Sequence, residues 1–394
     1  MKILYITYDG LLEPLGQSQV LAYQEKLAEN FEIFLLSYEK PADLKNSKLL
    51  DDMQKRISNT SIKWTFRKYH KTPSIFATAY DIFAGLIYCS CLVWKYKITI
   101  IHARSYPPAL LALFLKYLFG VKFIFDMRGF WADERVDGNI WLKDSFIYKL
   151  TKRLERLFIL HADHIISLTN AAVREIRNFP FVEPSSIDLS VISTCVDLKK
   201  FSARHSVNQS DFVLGYLGTV GTWYLFQETI YAFRALLKIL PNAKILIINK
   251  NEHDFIWESF KKHNIPSSAV EIISANYDEV PDLIKKMDAT VFFLKPLFSK
   301  QASAPTKLGE FLASGVPCLT NYGVGDVSQI IQSSGVGVTI KDFSDNSIFN
   351  GVKDLIELTK QEDIISRCRE TALLNFSLED GVSSYSKIYK NLSY

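Results

Sequence analysis

A rhythm that runs through the chain twice is what most narrows its possible folds. Short β-branched and aromatic runs fall at 2–8, 32–37, 98–102, 122–126, 164–168 and 189–192, with helical stretches such as 19–29 and 107–119 between them. The second half repeats the pattern at 212–217, 244–248, 270–273, 289–294, 316–319 and 337–340, with helices such as 226–239 and 280–287 in the gaps. Strands that are apolar along their whole length, separated by helices, are buried on both faces, which is the condition of a parallel sheet. The expected fold is α/β with two Rossmann-like domains, residues 1–196 and 212–377, joined by a polar linker at 197–211. The last stretch, 378–394, spaces Val382, Tyr385, Ile388, Tyr389 and Leu392 helically and is expected to pack back on the first domain. Open parallel sheets bind ligands at the carboxyl ends of their strands, so a cleft between two facing domains is the expected site.

Length agrees with this division, since 394 residues exceed what one ordinary core holds. A formal net charge of +4 supplies no concentrated basic face, so nucleic acid is not an expected partner. The five cysteines make no paired framework, Cys89 and Cys91 lack zinc-knuckle spacing, and an odd count suits a reducing compartment. No metal and no cofactor are expected. The N-terminus carries no long apolar segment with a cleavage signal, so a cytoplasmic location is expected. Residues 74–94 are almost wholly apolar apart from Asp81. That length can cross a bilayer; the reading preferred here is a buried helix covering the sheet, because strands follow it in rhythm.

Three stretches carry chemistry. After the first strand, Gly16 and Gln17 precede a predicted helix, where a missing Cβ lets backbone amides approach an anion. After the first strand of the second half, Gly218, Thr219, Val220, Gly221 and Thr222 can form a nest of N–H and hydroxyl donors, or simply a tight loop. The richest runs from Lys295 through Ser303 to Thr306, Lys307, Leu308 and Glu310, where Pro305 and Thr306 mark a helix start. Its free amides and positive dipole end suit a diphosphate, and a carboxylate one turn inside suits sugar hydroxyls.

The string PTKLGEFLASGVPCLT resembles the donor-binding helix of family-4 retaining glycosyltransferases of group 1, which have the GT-B fold. YDGLLEPLGQSQV, VISTCVDLKKF, YDEVPDLIKKMDATVFFLKP and NYGVGDVSQIIQSSGVGVTI extend the resemblance over nearly the whole chain. It implies a hexosyltransferase-type enzyme that takes a sugar from a nucleotide-diphosphate sugar with retention and without metal, in polysaccharide or glycoconjugate synthesis. Glu310 matches the second glutamate of the family's Glu-x7-Glu pair, which typically holds the donor ribose. The first falls at Ala302, so Lys300, Gln301 or Ser303 must supply that contact or it is missing. The family's basic pair after the first strand of the second domain is absent, and Thr219 and Trp223 lie in that region. In the first domain Asp126 takes the place where related enzymes often present a histidine, with Arg128 beside it. His102 and Arg104, on the preceding strand, complete the expected catalytic set, although paired structural charge explains the same residues.

Two other classes stay open: a nucleotide-sugar 2-epimerase of the same fold, and a non-catalytic partner subunit. For the donor base, Tyr277 and the loop at Asn249 and Lys250 lie at strand ends. The acceptor is expected to be a sugar or a lipid-linked molecule, and the first domain to touch a membrane surface, which would place the protein on the inner face of the cell membrane. The motive is 143–161, where Lys149, Lys152, Arg153 and Arg156 alternate with Phe146, Leu150, Leu154, Leu157 and Phe158. Packing of that stripe on the sheet is the alternative.

Overall fold

The computed structural model describes residues 1–70, 74–183, 185–204 and 211–393, without the side chains of 74–76. Its contacts divide the chain into two compact units, Met1–Ser193 with Leu378–Tyr394, and Thr194–Ser377.

The first unit is built on a parallel sheet of β1 (Lys2–Thr7), β2 (Glu32–Glu39), β3 (Lys63–Lys68), β4 (Ile100–Arg104), β5 (Lys122–Asp126), β6 (His164–Ser167) and β7 (Leu189–Val191), in the order β3-β2-β1-β4-β5-β6-β7. Its helices are α1 (Pro14–Gly16), α2 (Ala22–Leu27), α3 (Pro41–Leu44), α4 (Ser47–Ser58), α5 (Ser74–Tyr96), α6 (Tyr106–Phe119), α7 (Trp131–Asp137), α8 (Phe146–His161) and α9 (Asn170–Arg177). A π-helical turn, Gln17–Leu21, links α1 to α2. The strand β3 went unpredicted because KWTFRK carries a charge at each end and lies at the sheet's edge, where it is never fully buried.

The preference for a buried helix at 74–94 fails. Only 28% of Ala77–Tyr96 is buried, although the stretch is long and apolar enough to cross a membrane. Ala77, Asp81, Gly85, Cys89 and Val93, four residues apart, turn inward. A Cβ on Gly85 would come 2.3 Å from the Tyr38 hydroxyl, so the contact is close enough to require glycine. Asp81 accepts from the His70 amide at 3.0 Å and lies 2.6 Å from its Nδ1. The opposite face stays in solvent.

The second unit holds β8 (Val213–Leu217), β9 (Lys244–Ile248), β10 (Val270–Ile273), β11 (Ala289–Val291), β12 (Cys318–Asn321) and β13 (Gly337–Ile340), in the order β10-β9-β8-β11-β12-β13. Around them pack α10 (Phe226–Ile239), α11 (His253–Lys262), α12 (Val280–Ile284), α13 (Thr306–Ala313), α14 (Val327–Ser334), α15 (Asp345–Thr359) and α16 (Ile364–Phe376). Alternate residues of β9 enter opposite cores: Ile245 and Ile247 join Phe233 and Phe260, while Leu246 and Ile248 join Phe292, Leu308 and Phe311. Both faces of the sheet are therefore buried, which is why its strands read as unbroken apolar runs.

Residues 197–204 are not the linker their polarity suggested. Phe201 is fully buried, Arg369 donates to the Leu198 carbonyl at 2.7 Å, and Arg204 donates to the carbonyls of Met287 and Asp288 at 2.6 and 3.1 Å. Residues 205–210 of the expected linker lie outside the described residues. The final helix, α17 (Leu378–Asn391), belongs to the first unit and packs beside α2, with Tyr385 edge-on to Tyr23.

Candidate functional site

Each sheet reverses its winding between two neighbours, β1 and β4 in the first unit, β8 and β11 in the second. The loops leaving the carboxyl ends of such strands form the crevice where ligands of open α/β sheets bind.

In the first unit, Arg104 at the end of β4 donates from Nε to Asp9 Oδ2 at 2.6 Å, tying together the ends of β4 and β1. Arg104 is buried, whereas the Asp9 side chain is 40% exposed. The Arg128 side chain is 11% exposed and lies 3.9 Å from Asp126. Ser105 and Arg128, just past β4 and β5, take positive φ of 72° and 58°. Such strained non-glycine residues gather at functional edges.

His102 and Asp126 are together but closed off. Both are fully buried, and their cover comes from α17 of the same unit: the Tyr389 hydroxyl lies 2.6 Å from His102 Nδ1, and the Tyr385 hydroxyl donates to Asp126 Oδ2 at 3.1 Å. Burial pushes the His102 imidazole down despite the neighbouring carboxylate. A neutral imidazole accepting the Tyr389 hydroxyl carries its proton on Nε2, which faces Asp126 Oδ2 at 3.5 Å. Burial alone would raise the Asp126 carboxyl, but Arg128, His102 and Arg104 outweigh it and hold it below the ordinary range. Of the expected catalytic residues, His102 and Asp126 are thus covered in this structure, where they clamp the final helix to the sheet. Asp9, which opens the candidate loop after β1, faces solvent.

At the expected anion site of Gly16 and Gln17, the glycine is packed tightly against the loop before it. Gly16 is the last residue of α1, in the first turn of the helical stretch that continues through the π turn into α2, and a Cβ there would lie 1.9 Å from the Gly10 carbonyl oxygen. Glycine is required by packing. The loop is held by buried Glu39, which accepts from the amides of Leu11 and Leu12 at 2.8 and 3.2 Å.

In the second unit, the structure brings Gly218, Lys307 and Glu310 together. Gly218 follows β8 with φ of 105°, and a Cβ there would lie 3.1 Å from Lys307 Nζ. That ammonium group donates to the Leu217 carbonyl and lies 3.9 Å from the Tyr224 ring centre. Lys307 and Glu310 are both buried, although Glu310 was expected to point out of the core. Burial lowers Lys307 to about 7, against the pull of Glu310. Burial raises Glu310 to about 7, against the pull of Lys307 and of Lys200. Lys200 went unpredicted because it lies in the stretch read as linker.

Thr306 opens α13 after Pro305, so its amide and that of Lys307 fall in the first turn, where no intrahelical acceptor exists. Leu308 belongs to the core, and its amide donates to the Pro305 carbonyl at 3.0 Å, so its expected donor contact is not available. The nest at Gly218–Thr222 is partly spent: the Gly218 amide goes to the Ile248 carbonyl at 2.9 Å and the Val220 amide to Glu252 Oε2 at 3.1 Å. The Thr219 carbonyl accepts from the Tyr216 hydroxyl at 2.6 Å, and its side chain is exposed. Lys295 and Ser303 are half-buried in the segment between β11 and α13, and their amides donate to the carbonyls of Trp223 and Lys300. Lys300 lies 3.8 Å from the Trp223 ring centre. Tyr277 packs on Phe201, and the Lys200 ammonium group covers its ring at 3.6 Å, so a base cannot stack on that face.

Two family patterns match the chain, "Glycosyl transferase 4-like domain" over residues 66–189 and "Glycosyl transferases group 1" over residues 197–371. Together they take in most of both units. The chain belongs to the group 1, family-4 glycosyltransferases. The glycosyltransferase has the GT-B fold, as its solved neighbours show. Sucrose-phosphate synthase from Thermosynechococcus elongatus superposes with a TM-score of 0.74 at 12% identity, over 99% of this chain and 98% of that one. HepE of Anabaena, solved with UDP and glucose, gives 0.72 at 13% identity, over 99% and 100%. A putative UDP-N-acetylglucosamine 2-epimerase from Listeria monocytogenes gives 0.59 at 12% identity, over 97% and 94%. No curated protein matches the sequence.

Proposed function

We propose that this glycosyltransferase takes its sugar from a nucleoside diphosphate sugar held on the second unit, and passes it to an acceptor hydroxyl with retention and without a metal. The observation that carries the reading is the pair Lys307 and Glu310, buried one turn apart on α13 beside the glycine that ends β8. A buried carboxylate near a helix start is suited to accept two ribose hydroxyls. The amides of Thr306 and Lys307, the dipole of α13 and the Lys307 ammonium are suited to the diphosphate, whose negative charge grows as the bond to the sugar breaks. Thr219, exposed after β8, and Lys295 are further donors toward the phosphates. Lys200 and Lys307 pull Glu310 toward its ionised form, against the effect of burial.

The diphosphate of HepE's ligand makes uridine diphosphate the first nucleotide to try. On the acceptor side, Asp9 and Arg128 are charged groups that reach solvent just past β1 and β5, with Arg104 fixing Asp9 and Asp126 fixing Arg128 from below.

Calorimetry with uridine diphosphate and guanosine diphosphate, followed by assay of nucleotide release with and without a cell extract as acceptor source, tests the reading. Release that depends on acceptor supports transfer. Turnover of the donor alone would replace it with the 2-epimerase reading, and binding without turnover would make the chain a partner subunit. The anomeric configuration of the product, read by NMR, and unchanged rates with a chelator test retention and metal independence.

A further inference from the structure

We infer that the outer faces of α5, α6 and α8 form a docking surface for an anionic membrane. The inference stands on the first unit alone and does not depend on the donor site. α6 lies between α5 and α8, so the three helices make one continuous layer over one face of the sheet. Apolar side chains point away from that sheet along the whole layer: Phe83 and Trp94 on α5 are 66% and 70% exposed, and Ile87, Tyr117, Leu118 and Leu157 are exposed with them. So many large apolar side chains exposed on one layer of neighbouring helices mark an interaction site.

Charge selects the partner. The three helices contain two acidic residues, Asp81 and Glu155, each 1% exposed and each engaged internally, Asp81 with His70 and Glu155 with Tyr106 and Lys152. Their exposed charges, at Lys95, Lys149, Arg153 and Arg156, are all positive. A second copy of this face would set like charges against one another. A bilayer with anionic headgroups matches both properties, taking apolar side chains at the acyl boundary and basic ones among the phosphates. Trp94 and Tyr117 suit that boundary, where amphipathic rings concentrate.

The geometry also sets the mode. The inner stripe of α5, with Gly85 against Tyr38 and Asp81 on His70, is part of the first unit's packing. The helix therefore lies along the surface and does not cross the bilayer. Basic residues on α8 extend the contact beyond the helix that is apolar enough to be noticed alone.

Flotation with phosphatidylcholine vesicles, with and without phosphatidylglycerol, tests this. The parent protein should float with the anionic vesicles and much less with the neutral ones. Phe83→Ser/Ile87→Ser/Trp94→Ser and Lys149→Gln/Arg153→Gln/Arg156→Gln should each weaken that binding by more than about tenfold. None of these residues belongs to the donor site, so melting temperature and uridine diphosphate binding, measured on the same samples, should be those of the parent. Parent protein left wholly in the unbound fraction would overturn the inference. So would folded variants that float as the parent does, or a dimer in lipid-free solution that the apolar variant dissolves while flotation is absent. Flotation that depends on these residues upholds it whatever the nucleotide result.

Discussion

Lys307 and Glu310 stand one turn apart on α13, both closed off from water, and burial drives one ionisation down to about 7 and the other up to about 7. Near neutrality neither charge is secure in the empty protein. In the proposed donor site a nucleoside diphosphate needs both, a carboxylate for ribose and an ammonium for phosphate. Its affinity should therefore be greatest near pH 7 and fall on either side, as acid protonates Glu310 and alkali deprotonates Lys307. Calorimetry across that range reads the profile. Glu310→Gln should flatten the acid limb and Lys307→Gln the alkaline one, and a profile flat from about pH 6 to 8 would contradict the pairing.

The same shift predicts a stability effect of opposite sense. Between its ordinary value of 4.5 and about 7, folded Glu310 keeps a proton that the unfolded chain has released, so stability falls as pH rises through that window. Glu310→Gln removes this term. The ligand-free variant should be more stable than the parent at about pH 8, by roughly 1–3 kcal/mol, and match it below about pH 4.5. A site residue whose loss stabilises the empty protein is behaving as binding groups do.

His102 and Asp126 carry a different expectation. Tyr389→Phe leaves the buried Nδ1 of His102 without its partner at 2.6 Å, at a cost of about 1–3 kcal/mol. Asp126→Asn breaks a buried charge cluster and should cost about 3–5 kcal/mol. Chemical denaturation checks both. If Asp126→Asn folds with parental stability and only turnover falls, the clamp assignment is wrong and the residue acts on substrate.

Gly16→Ala should destabilise by at least about 1–3 kcal/mol, because the added carbon would overlap the Gly10 carbonyl oxygen at 1.9 Å. Equal melting temperatures would show that the loop after β1 yields and could open to a ligand.

These residues also show what the sequence could reveal. The strands were legible because burial on both faces leaves no polar alternation, so β5, β9, β10 and β13 fall where the apolar runs do. The edge strand β3 was not, since its exposed ends break the pattern. Glu310 was singled out by its place after a helix start, yet its burial was invisible, because Leu308 and Phe311 beside it look equally able to define the inner face. Gly16 shows the reverse: a glycine before an apparent helix fits either a ligand or a tight contact, and the tight contact with the Gly10 oxygen was not legible in the sequence. Asp126 ends a strand, and that pointed to the site; its cover arrives from α17, more than half the chain away, which no local reading supplies. The outward face of α5 was hidden for the same reason, since apolar composition does not say which side a helix buries.

Glu310 holding the nucleotide is the centre of the proposed donor site. Calorimetry of uridine diphosphate on Glu310→Ala, with a melting curve to establish folding, tests it most directly. Losing two charge-assisted hydrogen bonds, worth about 1.5–3 kcal/mol, should weaken binding about ten- to a hundredfold while the protein stays folded. A folded variant that binds uridine diphosphate as tightly as the parent would contradict the donor site described here.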